Sequence, residues 1–263
     1  MPHGTAPLSP AQARAAMARG EITGNTSALC PGHAQANLVI LPRDWAYDFL
    51  VFCQRNPKPC PLLEVLDPGD PHTSHLAPAA DVRDTLPRYR VWENGVLREE
   101  PTDIGGLWRS DLVSFFLGCS FSFDLALQRA GVPVRHLEQG RNVPMYRTTR
   151  PNRPAGRLGG PLVVSMRPMP AELVPQAVEV SGRYTQTHGA PVYWGDPAGI
   201  GIADIDRPDF GESVDIRPGE VPVFWACGVT PQAALMEAKP PLAITHAPGC
   251  MFISDRRSEE LDG

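Results

Sequence analysis

Polar and apolar positions repeat with different local periods along the chain, and each period predicts an element. Ser9-Pro10 opens an Ala/Arg-rich run that Gly20 closes, the order of N-cap, first-turn proline and terminal glycine expected of a helix. A short apolar run over residues 35–41 leads into a predicted helix over 43–55, whose Trp45, Phe49 and Phe52 recur at helical spacing and are expected in the core. Pro57, Pro59 and Pro61 exclude helix and central strand from residues 56–61, because each removes a backbone donor and fixes φ. Residues 62–66 read as strand and 67–80 as exposed loop. Residues 89–92 and 96–98 alternate around Asn94-Gly95, a pair suited to the positive φ values of a hairpin turn. Helices are predicted over 107–117 and 122–130, and the Pro- and Gly-rich stretch that follows reads largely as extended loop. Strands at 162–166, 191–194, 221–227, 242–245 and 251–254 then alternate with helices at 171–184 and 230–238. The mixture indicates an α/β or α+β protein, and no internal repeat is present.

Composition narrows the class. Hydrophobic residues make up 42% and charged residues 20%, ordinary globular values that exclude disordered and fibrous chains. The longest apolar runs, such as 49–53 and 223–227, are about five residues against the roughly 20 of a membrane span, so no membrane is expected as a partner. No signal or transit pattern opens the sequence, and a cytoplasmic location is the expectation. Six cysteines lack Cys-x-x-Cys spacing, which argues against structural zinc and for thiols packed as small hydrophobes.

Charge distribution says more than its total of −5, which itself disfavours nucleic acid. Residues 135–167 hold seven arginines and one acid, Glu138, a local +6 that leaves −11 elsewhere. Guanidinium forks suit bidentate recognition of carboxylate, so Arg141, Arg147 and Arg167, with Asn142 and Tyr146, are candidate ligands for a small anionic substrate. The alternative is a solvated positive surface.

The sharpest local pattern is Val221-Pro-Val-Phe-Trp-Ala-Cys227-Gly-Val-Thr230-Pro231, a strand passing through Gly228 into a helix. Thr230 is expected as N-cap, with free N–H groups making an anion pocket. A second strand ends in Thr245-His246-Ala-Pro-Gly249-Cys250, and both exits could line one crevice of an open sheet. His246 is the candidate general acid/base; Cys227 or Cys250 is a candidate nucleophile if a helix terminus lowers its pKa, with packing as a core hydrophobe the preferred alternative for each. Ser120, Asp124 and His246 make a weakly supported triad. Dinucleotide, P-loop, zincin and nucleophile-elbow motifs are lacking, and no cofactor is evident.

Several motifs together resemble one family. They are Gln35-Ala-Asn-Leu-Val-Ile-Leu-Pro42, the Phe52 to Val65 stretch, Leu117-Gly-Cys-Ser-Phe-Ser-Phe123, Glu138-Gln-Gly-Arg-Asn-Val-Pro-Met-Tyr-Arg147, Val164-Ser-Met-Arg-Pro168, Pro222 to Gln232 and Thr245-His-Ala-Pro-Gly249. Over about residues 10–256 the chain is similar to the D-glutamate cyclase family, whose bacterial members are termed hydro-lyases. The resemblance implies an α/β fold, mixed sheets with flanking helices, in two subdomains forming one compact unit. Residues 1–135 and 220–263 are expected to form the main subdomain, and 136–219 a smaller α+β one. It also implies dehydration of D-glutamate to 5-oxo-D-proline.

Two positions depart from the family pattern: Cys250 replaces a histidine, and His33 replaces an aromatic residue. A divalent metal therefore stays open, as does a homo-oligomer. The expected mechanism has Arg141, Arg147 and Arg167 binding carboxylates, Asn142 and Tyr146 orienting them, Thr230 capping the anion turn and His246 moving the proton. A different carbon–oxygen lyase acting on a hydroxy acid, or a non-catalytic module binding an acidic metabolite, remain the alternatives.

Overall fold

In a computed structural model of the chain, residues 7–261 are described; the outer ends of the expected main subdomain, 1–6 and 262–263, lie outside that range. The helices are α1 (Pro10–Ala18), α2 (Arg43–Arg55), α3 (Phe121–Arg129), α4 (Arg135–Glu138), α5 (Val174–Gly182) and α6 (Thr230–Ala238). The strands are β1 (His33–Pro42), β2 (Leu62–Val65), β3 (Tyr89–Glu93), β4 (Val96–Glu99), β5 (Leu112–Gly118), β6 (Met145–Pro151), β7 (Pro161–Pro170), β8 (Tyr193–Trp194), β9 (Glu220–Ala226), β10 (Ala243–His246) and β11 (Phe252–Arg257).

A seven-stranded sheet runs in the order β2-β5-β1-β10-β3-β4, with β11 also on β1, and a four-stranded sheet in the order β6-β7-β9-β8. Among the described residues every strand pairing given is antiparallel, so the mixed α/β character lies in helices and sheets and not in strand direction. β1 is central and buried on both faces. Val39 and Leu41 pack with Phe49 and Phe52 of α2, while Leu38 and Ile40 pack on the other side with Phe116 and Phe252. In the smaller sheet Val223 and Trp225 face α3 and α5, and Phe224 faces Tyr146 and Met166. Among the described residues no helix is long and apolar enough to cross a membrane.

Local signals place most elements. Ser9 caps α1 in a reciprocal capping box with Gln12, and Asn94 and Gly95 take φ of 52° and 79° in the β3–β4 turn. The predicted helix over 107–117 is instead strand β5. Its Leu-Val-Ser-Phe-Phe-Leu run is buried between β2 and β1, and a run apolar on both faces carries no period. The expected Arg-rich loop is α4, β6 and the start of β7, with Pro144 before β6, and Pro151 and Pro161 at strand ends where a missing donor is tolerated. β9 pairs with β7 over seven residues, from Val164↔Ala226 to Pro170↔Glu220. That ladder places residues 220–226 in the smaller sheet, although 220–263 was expected to belong with the main part.

Candidate active site

β10 pairs with β1 only at Val39 and Ile40, and β11 takes up the same edge from Ala36 towards His33. Asn37 and Leu38 lie between these two ladders, and side chains fill the gap. The Leu38 N–H donates to His246 Nδ1 at 3.1 Å, with the Leu38 carbonyl farther away at 3.3 Å. Assigning the shorter contact as the hydrogen bond makes Nδ1 the acceptor and puts the neutral imidazole's hydrogen on Nε2, with Gln232 Nε2 3.4 Å from that nitrogen. Burial holds the His246 pKa down to about 4, keeping the ring neutral at pH 7. Gln232 of α6 donates its Nε2 to the His246 carbonyl at 3.0 Å, which leaves Gln232 Oε1 buried without a partner.

His246 lines a small cavity of about 20 Å³, room for one water molecule, together with Asn37, Ser120, Asn142, His188 and Cys227. Asn37 Nδ2 donates to the Gly118 carbonyl at 2.6 Å. The turn from β9 into α6 packs directly on this amide: a Cβ at Gly228 would lie 2.0 Å from Asn37 Nδ2. His188 Nδ1 is 2.8 Å from the Lys58 carbonyl, and burial brings its pKa to about 4. Burial pushes the Cys227 thiol up to about 11 and the Cys119 thiol higher still, so both are protonated at neutral pH. Desolvation outweighs the helix terminus, so the condition for a nucleophilic Cys227 is not met and the thiol packs in an apolar cluster. The cavity thus offers neutral donors and acceptors.

Asn142 lines both this cavity and an open cleft of about 950 Å³. Its backbone N–H donates to Glu212 at 2.9 Å, its Nδ2 makes a long 3.3 Å contact with the Pro248 carbonyl, and its Oδ1 is buried without a partner. The cleft wall carries Arg88, Arg90 and Trp92 on alternate positions, one face of β3 and its approach. Arg90 Nε donates to Glu100 at 2.6 Å, and Arg88 stands 3.9 Å from the same carboxylate.

The three predicted arginines do not converge. Arg141 is exposed and donates to the Ser213 carbonyl. Arg147 stacks 5.6 Å over Phe210 and lines a separate pocket with Tyr146, whose hydroxyl donates to the Ile205 carbonyl. Burial raises the Tyr146 pKa, so it stays a phenol. Arg167 is fully buried between Phe123 and Trp225, bound to Asp124 at 2.7 Å and, at 3.2 Å, to Ser120 on the cavity wall.

Burial opposes charge on Asp124, yet Arg167 and the adjoining His136 hold its carboxyl below the usual range. Asp124 therefore serves Arg167 and stands 3.3 Å from His136, so the Ser120-Asp124-His246 triad does not form. Thr230 is the first helical residue and not the N-cap: Val229 holds that place, and the Thr230 hydroxyl bonds the Val163 N–H and carbonyl on β7. Of the predicted residues, His246, Cys227 and Asn142 meet at one cavity. His188, Gln232, Arg88 and Arg90 join the region without having been singled out.

Among the described residues no group of three or more His, Cys, Asp or Glu is arranged to hold a metal ion. Cys250 donates to the Gly24 carbonyl on the cleft wall, its thiol pushed by burial to about 11. His33 lies beside Arg257, with burial and that charge lowering its pKa.

Ser120, Asn142, His188, Cys227, Gln232 and His246 all fall within residues 113–255, the span matched by the family described as "D-glutamate cyclase". The chain belongs to the D-glutamate cyclase family. It is 60% identical over 254 residues to a protein of Stutzerimonas stutzeri named "Putative hydro-lyase", covering 97% of this chain and 96% of that one. A relative of the same name from Saccharopolyspora erythraea is 62% identical, covering 97% and 99%, and one from Bacillus pumilus is 54% identical, covering 96% of each. A solved nitrogen repressor-like protein of Methanococcus jannaschii superposes over 95% of this chain and all of that one at 10% identity and a TM-score of 0.38, too loosely to assign a fold. Family and relatives make this D-glutamate cyclase family member a hydro-lyase, a carbon–oxygen lyase.

Proposed function

We propose that this hydro-lyase acts on a small amino dicarboxylic acid, converting D-glutamate to 5-oxo-D-proline at the cavity around His246. The observation that carries the reading is the neutral His246 ring, keyed by a main-chain N–H on one side and holding its remaining hydrogen on Nε2 in a desolvated space. Ring closure joins the amine to the γ-carboxyl carbon and drives negative charge onto the γ-carboxyl oxygens. A preorganised neutral N–H donor stabilises that charge with no buried cation to desolvate. His246 in this arrangement acts as a hydrogen-bond donor, where the sequence reading has it as a general acid/base moving the proton.

Unpartnered Asn142 Oδ1, on a residue of the cavity wall, suits an N–H donor of the substrate ammonium. Arg88 and Arg90 in the outer cleft suit the α-carboxylate as it arrives. The cavity is smaller than the substrate, so binding requires its walls to move apart, and Asn142, held to the Pro248 carbonyl by a long 3.3 Å contact, stands where it meets the cleft. Because both reacting groups belong to one molecule, the enzyme's task is to fold that molecule back on itself and hold it.

The test is incubation of purified protein with D- and L-glutamate, reading loss of 18 mass units and product chirality. Conversion of the D enantiomer supports the reading. Inert glutamate beside alkene absorbance from a hydroxy acid would assign another lyase chemistry. Replacing His246 separates donor from base. His246→Leu is expected to lower kcat about 100- to 1000-fold, whereas His246→Gln, which supplies an acceptor for Leu38 and an amide donor, retains more. Equal losses in both variants would remove the donor role.

A further inference from the structure

With His246 acting as a donor, ring closure still needs a group to take the ammonium proton. We infer that His188, on the same cavity, is the proton carrier, a second catalytic residue complementary to His246; this rests on the dehydration proposed above.

The tautomer follows from geometry. His188 Nδ1 lies 2.8 Å from the Lys58 carbonyl, which can only accept, so Nδ1 holds the hydrogen and the neutral ring's lone pair is on Nε2. This is the reverse of His246, whose Nδ1 accepts from Leu38. One cavity therefore holds two neutral imidazoles, one with Nε2 as donor and one with Nε2 as acceptor.

The local chain is built to hold His188 there. It follows the turn Thr185–Thr187 with φ of 83° and ψ of −17°, a left-handed conformation ordinarily given to glycine, and Gly189 follows at φ 63°. The turn presses on the end of β5, where a Cβ at Gly118 would lie 1.9 Å from the Gln186 carbonyl oxygen. Lys58 lies between Pro57 and Pro59 in a turn closed by the Cys60 N–H on the Asn56 carbonyl at 3.0 Å, and the two prolines stiffen the backbone that carries its carbonyl. An unfavourable backbone conformation and a side-chain-free contact both serve to place this imidazole.

The groups facing His188 balance. Burial, Arg167 and the Lys58 charge disfavour the imidazolium, while the Lys58 and Gly118 carbonyls favour it. The ring is neutral before reaction, and two carbonyl dipoles stabilise the cation it becomes. His188 Nε2 takes one proton from the ammonium, the nitrogen lone pair forms the C–N bond, and the carbonyl π pair moves to oxygen opposite His246. The imidazolium returns that proton to the departing oxygen, and a second nitrogen proton follows the same route. The C–O bond breaks with its pair on oxygen, leaving water and the lactam with no net proton gained or lost.

His188→Asn is the test, because asparagine tolerates the left-handed conformation and can donate to Lys58 yet cannot carry the proton. On whichever acid the wild type dehydrates, kcat is expected to fall about 100-fold or more, with KM within about threefold and the thermal midpoint unchanged. Nitrogen-15 NMR of the wild-type imidazoles is expected to find Nε2 of His188 and Nδ1 of His246 unprotonated. That readout is independent of substrate, so inert glutamate with this NMR pattern would overturn the D-glutamate reading alone. Wild-type turnover in His188→Asn, or a proton on Nε2 of His188, would overturn the inference. Should the variant unfold, the acid limb of wild-type kcat must coincide with the His188 NMR titration, and a mismatch excludes His188.

Discussion

The small inner cavity and the open cleft meet at Asn142 and are built on opposite electrostatic principles. The cleft displays formal charges, Arg88, Arg90, Glu100, Asp209 and Glu212, in contact with solvent. The cavity displays amides, hydroxyls, thiols and neutral imidazoles, and holds its charges one layer behind as the Arg167–Asp124 pair. Water screens an exposed charge cheaply, whereas a buried charge needs a partner within reach. Long-range capture of an acid belongs in the first environment, and stabilisation of charge that develops during reaction belongs in the second.

Breaking the hidden pair gives the largest expected effect. Asp124→Ala leaves Arg167 buried between Phe123 and Trp225 without its carboxylate. The expected loss is about 3–5 kcal/mol, or roughly 6–20 °C in thermal midpoint, and a shift under about 2 °C would show that the pair carries little stability.

Acid comes next. His188 and His246 have folded pKa values near 4, below the ordinary value of 6.5, so the unfolded chain takes up protons first as pH falls. Their contribution to stability is complete above about pH 6.5 and is lost between there and about pH 4. Denaturation at a series of pH values is expected to show this loss in the wild type and about half of it in His188→Asn.

The cleft is tested by Arg90→Gln, which is expected to raise KM about tenfold with kcat nearly unchanged and to weaken the salt dependence of kcat/KM. An equal fall in kcat would move Arg90 into the chemical step. The smallest effect is expected of Cys227→Ala. A thiol raised to about 11 is no nucleophile at neutral pH, so kcat should stay within about threefold, measured beside slow alkylation of the wild type.

Where the sequence could be read, a local rule was sufficient. Ser9-Pro10 with Gly20, Asn94-Gly95, and polar residues at the ends of apolar strands at Cys227 and His246 each carry their meaning within a short stretch of chain. β5 was misread because a strand buried on both faces has no alternation to detect. The arginines misled for a related reason: clustering in sequence is not convergence in space, and the α4–β6 connection, β6 and β7 send Arg141, Arg147 and Arg167 respectively to three different surroundings. Arg88, Arg90 and Trp92 did carry a legible signal, alternation on one strand face. His188 carried almost none, because its place depends on Gly118 and Lys58, 70 and 130 residues away in sequence.

Both imidazoles are keyed by main-chain groups, the Leu38 N–H and the Lys58 carbonyl, and not by neighbouring side chains. Apart from proline at Leu38, which would delete the N–H, exchanging the side chain at either anchor removes no hydrogen-bonding partner, so neither tautomer is reset by an ordinary replacement there. The acid–base polarity of the pocket is a property of the folded trace itself, inherited by any sequence that adopts the same path.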